Sequence, residues 1–425
     1  MKEVKPLHQV EIETEEKKYR GVLLKRPELA DGKHIVLKLD NGYNIGLEKN
    51  KIKSIKDLGA VEVEEHKTAE QKKETDKPRV SIIATGGTIA SRVDYLTGGV
   101  HSAFSAGELI SAVPELSSIA NISGRQLFNK FSENIQPGDW ITMAESVVEE
   151  IKDDASGVVL THGTDTMGYT AAALAFMLRV PVPVVLTGAQ RSSDRGSSDA
   201  AMNLTHSVKV AGEADYSGVW VVMHASMSDD YCLIHNATRV RKMHSSRRDA
   251  FQSINSSHLG RVSVDDIEFF SEVEPRGGRL EPDTKMDDRV TLLKYHPGLN
   301  PGIVDSLVDS GHSGIVLEGT GLGHTSQDLF DSIKSAIDSG LVVCMSSQTL
   351  YGRVNMNVYS TGRVLLDYGV VSCQDMLPET ALVKLMWVLG HTRNKKKAGE
   401  MMLTNYAGEL SDRSGIDDDL SVPES

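Results

Sequence analysis

Apolar strands that end in turns rich in glycine and threonine are the feature that most constrains the fold of this chain. The segments "VSIIATGGTIAS" (80–91), "SGVVLTHGTDTM" (156–167) and "VPVVLTGAQ" (182–190) each run from an apolar strand into such a turn, and helical stretches follow them. Near-continuous apolar strands that alternate with helices indicate a parallel sheet covered on both faces. In such sheets ligands bind at the carboxyl ends of the strands, so these turns mark a candidate site.

The pattern divides the chain into five parts, since 425 residues exceed one ordinary core. Residues 1–62 alternate apolar with polar positions around an Asn-Gly turn, and predict a small all-β barrel of the SH3-like kind. Residues 63–78 are charged and predict a linker. We expect a larger α/β domain over 79–285 and a smaller one over 286–400. The acidic tail, 401–425, is expected to be mobile or to dock on another surface.

Composition excludes several classes of function. The formal net charge of -13 opposes a phosphate backbone, which disfavours tight nucleic-acid binding without a partner. Cys232, Cys344 and Cys373 are far apart and form no CxxC, which predicts neither a disulfide framework nor a zinc site and fits a reducing cytoplasm. The sequence contains no evident signal peptide or membrane-spanning segment. We therefore expect a soluble, cytoplasmic protein without a membrane contact.

The first turn fits two chemistries, a phosphate cradle and a mount for a nucleophile. A P-loop needs GxxxxGK[ST] and a dinucleotide fold needs GxGxxG, and "ATGGTIAS" matches neither. A threonine hydroxyl becomes a useful nucleophile when a base removes its proton. The second turn places Thr164 beside Asp165, and Lys242 is a candidate base if burial and nearby charge favour its neutral amine.

Each of these residues also has an ordinary structural interpretation. Threonine at a strand end usually caps a turn, and the basic run Arg239, Arg241, Lys242 usually marks a solvated face. His162 in "THGTD" suggests a general base, but a turn histidine bonded to the backbone is the more common case. The residue types alone therefore leave catalysis open.

The segments "ATGGTIAS" and "THGTDTM" resemble the two signature segments of the type I/II L-asparaginase family, and the similarity spans about residues 79–395. This resemblance implies an asparaginase-like core of two domains with parallel sheets, a larger N-terminal one and a smaller Rossmann- or flavodoxin-like one. It also implies the roles of the site residues. Thr88 matches the nucleophilic threonine, and Tyr95 matches the tyrosine of the lid. Thr164, Asp165 and Lys242 match the second catalytic group, and Asp165 also matches the anchor for the substrate's α-ammonium. Ser132 matches the serine that binds the substrate's α-carboxylate, and Glu133 stands at the position of the family's substrate-binding glutamine.

A barrel ahead of the core and the segment "MLTNYAGEL" are similar to one archaeal branch of that family, whose members belong to tRNA-dependent amidotransferases. The resemblance implies a glutaminase, with asparagine as an alternative substrate, that supplies ammonia for converting Glu-tRNA(Gln) to Gln-tRNA(Gln). It implies a partner, the amidotransferase E subunit, which uses ATP and Mg and makes most of the contacts with tRNA(Gln). It further implies a homodimer within a heterotetramer and neither a cofactor nor a metal in this chain. The alternative is a free-standing cytoplasmic L-asparaginase.

Overall fold

The structure is a computed structural model. It describes residues 8–14, 17–23, 33–39, 44–60, 75–86, 91–93, 100–102, 108–110, 113–191 and 197–413.

The N-terminal region is an antiparallel sheet. Within the described residues its strands pair in the order β4-β3-β2-β1-β5. Alternation along them turns one apolar face inward, which matches the period-2 pattern of the sequence, and this face contains Val10, Ile12, Leu23, Leu37, Leu47 and Ile52. The predicted β-rich region is thus confirmed, while its closure into an SH3-like barrel stays a prediction. The strands are β1 His8–Thr14, β2 Lys18–Leu23, β3 His34–Leu39, β4 Asn44–Glu48 and β5 Ile52–Ala60.

A larger α/β unit follows, built on a sheet in which eight described strands pair in the order β18-β17-β14-β13-β12-β10-β6-β9. Its described strands are β6 Arg79–Ala84, β7 Ser91–Val93, β8 Val100–Ser102, β9 Asn121–Gln126, β10 Gly157–Thr161, β11 Leu178–Arg179, β12 Pro183–Thr187, β13 Gly218–His224, β14 Cys232–Asn236, β15 Val240–Lys242, β16 Phe251–Ser253, β17 Gly260–Val262, β18 Ile267–Phe269 and β19 Glu281–Pro282. Its described helices are α1 Leu116–Ile119, α2 Pro137–Lys152, α3 Met167–Met177 and α4 Ala200–Glu213.

The central strands of this sheet are buried on both faces, as their apolar composition predicts. Strands β9, β6, β10, β12 and β13 pair in parallel, and β14, β17 and β18 pair antiparallel to their neighbours. All five residues of β10 and all five of β12 are buried. Helices α2 and α3 pack on one face and α4 on the other, which is the two-sided covering expected of parallel strands.

A smaller parallel sheet with the described order β20-β21-β22-β23 forms the second domain. Its apolar residues continue into the core of the first domain: Phe176 at the end of α3 stacks on Trp387, with ring centroids 6.1 Å apart. The predicted two-domain α/β architecture is therefore confirmed, and the exact domain limits stay predictions. The described elements are β20 Val290–Lys294, α5 Gly302–Asp309, β21 Gly314–Gly319, α6 Phe330–Asp338, β22 Val342–Ser347, α7 Ser360–Tyr368, β23 Val371–Ser372, α8 Pro378–His391 and α9 Lys395–Met402.

Gly157 allows β10 to approach α4 closely. A Cβ atom at this position would lie 2.0 Å from the carbonyl oxygen of Ala211, which is backbone and cannot rotate away. We expect Gly157→Ala to lower the free energy of unfolding by about 2–3 kcal/mol in a urea titration. Gly138→Ala in α2 is the control, since a Cβ there meets nothing within 4 Å. It should lie within about 1 kcal/mol of the wild type, and equal losses in both variants would contradict the close packing.

Candidate active site

Three parallel strands end side by side and place their turns together. Ala84 of β6 pairs with Thr161 of β10, and Thr161 pairs with Thr187 of β12. The buried Thr85 hydroxyl then donates to the Thr161 carbonyl oxygen at 2.9 Å, and the Thr85 N–H reaches the same oxygen at 3.1 Å. These bonds fix the start of the first turn against the second strand.

Glycines allow the segments around these turns to approach closely. Gly86 has φ +125°, and a Cβ atom there would lie 2.1 Å from the Lys130 carbonyl oxygen. At Gly163 a Cβ would lie 3.0 Å from the Ser132 hydroxyl oxygen. Because neither turn carries a side chain at these points, the Ser132 segment sits directly against both strand ends.

Thr164, Asp165 and Lys242 form one hydrogen-bonded group. The Lys242 amine donates to the Thr164 hydroxyl at 2.9 Å and to the Asp165 carboxylate at 2.7 Å. The Lys242 side chain is 14% exposed and that of Asp165 is 69% exposed. The amine is thus largely shielded, while the carboxylate faces solvent. An amine bonded to a hydroxyl can pass protons through it, and an accessible carboxylate can receive a cationic group.

His162 belongs to a buried network behind this group. Its Nδ1 donates to the Gly163 carbonyl oxygen at 2.6 Å, and its Nε2 accepts from the Thr170 hydroxyl at 2.9 Å. Thr170 in turn accepts from the Trp140 indole N–H at 3.0 Å. The Gly163 carbonyl oxygen can only accept, so Nδ1 carries a hydrogen, and burial lowers the pKa of His162 to about 4, which favours the neutral ring. The interpretation of His162 as a backbone-bonded turn residue is confirmed.

The remaining predicted site residues fall in different places. Ser132 is buried in a short 3-10 turn, Ser132–Asn134, where its carbonyl oxygen accepts from the Thr166 hydroxyl at 2.6 Å. Glu133 in the same turn is exposed. Thr88 and Tyr95 lie outside the described residues. The structure therefore brings Thr164, Asp165 and Lys242 together, and the roles assigned to all of these side chains stay predictions.

The interpretation of residues 239–242 as a solvated basic face is wrong. The side chain of Arg239 is 1% exposed and pairs with the Asp375 carboxylate at 3.0 Å. Arg241 pairs with the Glu379 carboxylate at 2.9 Å and is mostly buried. Sequence reasoning missed both partners because they lie in the second domain, far along the chain. The available signal was the alternation of the two arginines, which places both on one side of a strand.

Family models match three segments of the chain. They are described as "GatD N-terminal domain" over residues 4–58, "Asparaginase, N-terminal" over 79–275 and "Glutaminase/Asparaginase C-terminal domain" over 289–402. The chain is also similar to solved L-asparaginases. That of Thermococcus kodakarensis has a TM-score of 0.71 at 34% identity, and L-asparaginase I of Vibrio cholerae has 0.69 at 26%. The alignments cover 78% and 79% of this chain and 99% of each of the other two.

The two-domain fold and the threonine-lysine group at its strand ends thus define a protein of the asparaginase class. Its curated relatives narrow this class further. The glutamyl-tRNA(Gln) amidotransferase D subunit of Pyrococcus furiosus is 53% identical over 409 residues, which is 95% of this chain and 93% of that protein. The D subunit of Methanothermobacter thermautotrophicus is 50% identical over 95% of this chain and 94% of its own length. The chain belongs to the D-subunit family of the glutamyl-tRNA(Gln) amidotransferases.

In the described part of the chain, no helix is both long and apolar enough to cross a bilayer.

The titration of His162 predicts how stability depends on pH. Between pH 6.5 and about 4 the unfolded chain protonates this ring while the folded protein does not, so the free energy of unfolding rises with pH across that window. His235, whose pKa burial lowers to about 3, acts in the same direction. At pH 5, His162 alone should lower the free energy of unfolding by on the order of 2 kcal/mol relative to pH 7.

Urea titrations at pH 7 and pH 5 measure this loss. His162→Gln keeps a donor and an acceptor at this position but does not titrate, so the variant should lose less stability than the wild type on acidification. An identical pH dependence in both proteins would show that His162 is not held neutral in the fold.

Proposed function

We propose that this chain is the glutaminase subunit of a tRNA-dependent amidotransferase that converts Glu-tRNA(Gln) to Gln-tRNA(Gln). The observation that carries the proposal is the contact of the Lys242 amine with Thr164 and Asp165 at the carboxyl ends of parallel strands. Membership of the D-subunit family selects this activity among those of the asparaginase class.

The proposed reaction is hydrolysis of a side-chain carboxamide. Thr88, three residues beyond Thr85, attacks the carbonyl carbon, and Thr164 with Lys242 accepts its proton and delivers one to the departing nitrogen. The C–N bond breaks, ammonia leaves, and water then hydrolyses the acyl-enzyme. Backbone N–H groups of the glycine-rich turns supply donors for the oxyanion. Tyr95 is assigned to a lid over the site.

The substrate is held through its α-substituents in this proposal. Ser132 binds the α-carboxylate, since its segment lies against Gly163 and Gly86. Asp165 receives the α-ammonium on its exposed side while it contacts Lys242. Glu133 stands beside Ser132 and adds a second negative charge near the same ammonium. Glutamine is the proposed substrate, with asparagine as the alternative.

The N-terminal region supports a role within a complex over a free-standing L-asparaginase. The solved L-asparaginases are matched over 99% of their length, yet they account for only 78% and 79% of this chain. The additional part includes residues 4–58, which match the GatD N-terminal domain. We assign this region to contact with the partner complex, because the asparaginase fold is complete without it.

Partner and compartment follow from the proposed reaction. The partner, the amidotransferase E subunit, activates the glutamate with ATP and Mg and holds most of tRNA(Gln), so this chain carries neither a cofactor nor a metal of its own. Its net charge of -13 suits a protein that leaves the RNA to its partner. We place the chain as a homodimer in a cytoplasmic heterotetramer with the E subunit.

Ammonia release tests the proposal. The isolated chain should release ammonia slowly from glutamine, and addition of the E subunit with glutamyl-tRNA should raise the rate at least about tenfold, as expected when a partner completes the site. Glutamine and asparagine are compared under both conditions. Fast hydrolysis of asparagine by the isolated chain, with no response to the partner, would instead identify a free-standing L-asparaginase.

Substitutions in the site should remove catalysis without unfolding the protein. We expect Thr88→Ala to lower ammonia release by at least about 1000-fold, as loss of a nucleophile does. Lys242→Ala should lower it by at least about 100-fold, as loss of a proton-transfer group does. Lys334→Ala is the control, because Lys334 is exposed and pairs with Asp338 on its own helix. Wild-type turnover in Lys242→Ala near neutral pH would refute the proton-transfer role.

A further inference from the structure

Lys242 is not held by the sheet that carries the other site residues. It is the last residue of β15, which pairs with β16 in a two-stranded sheet separate from the eight-stranded one. Thr164 and Asp165, in contrast, follow β10 at the centre of the large sheet. The distance between the Lys242 amine and Thr164 therefore depends on whatever fixes the position of β15.

The second domain holds β15 through two arginines. Arg239 precedes the strand and pairs with Asp375 at 3.0 Å, and both side chains are almost fully buried, at 1% and 2% exposure. Arg241 within the strand pairs with Glu379 at the start of α8 at 2.9 Å. Arg239 and Arg241 are two positions apart and lie on the side of the strand opposite to Lys242. Their two ion pairs therefore fix the backbone segment that carries the Lys242 amine.

The segment after α9, residues 403–413, which we call the C-terminal strap, closes over the Arg239–Asp375 pair. The Gly408 carbonyl oxygen accepts from Arg239 Nε at 2.9 Å, and the Ser411 hydroxyl accepts from Arg239 Nη2 at 2.9 Å. The Ser411 N–H donates to the Asp375 carboxylate at 3.1 Å. The strap and Asp375 together use every nitrogen of the guanidinium group, which fixes its plane as well as its position.

A second buried pair anchors the strap itself. Lys384 of α8 contacts the Glu409 carboxylate at 2.5 Å, and both side chains are 0% exposed. Lys384 also donates to the Thr404 carbonyl oxygen at 2.7 Å, and Glu409 accepts from the Ala407 N–H at 2.7 Å. Lysine and glutamate are almost never fully buried unless paired. The strap is consequently fixed to the second domain at both ends of its central turn.

We infer that Arg239 is a positioning residue for Lys242, and that the C-terminal strap holds Arg239 in the orientation this requires. The inference rests on the proposed function, in which the Lys242 amine exchanges protons with Thr164. A displacement of about 1 Å is enough to cost a large factor in rate when reacting groups must stay within hydrogen-bond reach. The predicted acidic tail thus begins with a segment that docks, and its docking acts on the catalytic amine.

The test replaces both charges at once, so that neither is left buried alone. Arg239→Met combined with Asp375→Asn is prepared in the full chain and assayed with the partner protein and glutamyl-tRNA. We expect kcat for ammonia release to fall at least tenfold while KM for glutamine stays within twofold, since Ser132 and Asp165 do not move. Amide hydrogen exchange should accelerate in residues 238–243 and stay unchanged in residues 218–224.

Arg276→Met is the matched control. Arg276 is half-buried in the same domain and donates to the carbonyl oxygens of Ala214 and Ala211 at the other end of the strands. Its loss should lower the melting temperature and leave kcat within twofold. If the Arg239 variant does not fold, Ser411→Ala carries the test, with an expected two- to fivefold fall in kcat and faster exchange in 238–243.

Two results would overturn the inference. One is a folded Arg239 variant, or Ser411→Ala, whose kcat stays within twofold of the wild type. The other is a loss of kcat that Arg276→Met reproduces at equal melting temperature, which would assign the effect to general stability. If the wild-type complex releases no ammonia, the proposed function fails, and unchanged exchange in 238–243 still refutes the positioning separately.

Discussion

The in-register parallel pairing of β6, β10 and β12 is the constraint on which the site depends. Because Ala84, Thr161 and Thr187 are level with one another, the three turns that follow begin at the same edge of the sheet. Thr85 then bonds back to Thr161, and Gly188 lies so close to Thr164 that a Cβ atom would reach its methyl group at 2.9 Å. A slip of one residue would reverse the faces of a whole strand and separate the hydroxyl groups. The strand pairing therefore comes first, and the chemistry is placed on it.

Much of this arrangement could be predicted from the sequence. Short runs rich in β-branched residues and bounded by glycine, such as "SGVVLT", favour buried strands over helices, so the sheet and the edge that carries the site could be predicted from the pattern. Lys242 could be named only as a candidate base, since the basic run that contains it also fitted a solvated face, and the resemblance to the asparaginase family assigned it to the catalytic group with Thr164. The geometry supports that placement through a contact across 78 positions of sequence.

The burial of Arg239 could not be predicted, for a physical reason. An arginine is buried only where carboxylate and carbonyl oxygens satisfy its donors, and here Asp375, Gly408 and Ser411 lie 136 to 172 positions later in the chain. No local window contains both halves of such an interaction. The bond from Trp140 to Thr170 is a similar case, because 30 positions separate the two residues, whereas Thr170 and His162 are only eight positions apart.

Two buried ion pairs contact the strap, although burying a charge pair adds little stability to a fold. The desolvation of Arg239, Asp375, Lys384 and Glu409 offsets most of their attraction, so apolar side chains of similar volume would give comparable stability. A guanidinium with all three nitrogens engaged in hydrogen bonds also fixes an orientation, because its donors point in set directions within one plane. A strand that must hold one amine within hydrogen-bond reach of one hydroxyl needs that orientation. We therefore infer that the buried charges serve to fix the position of β15. The strap contributes to this by holding Arg239 in its orientation.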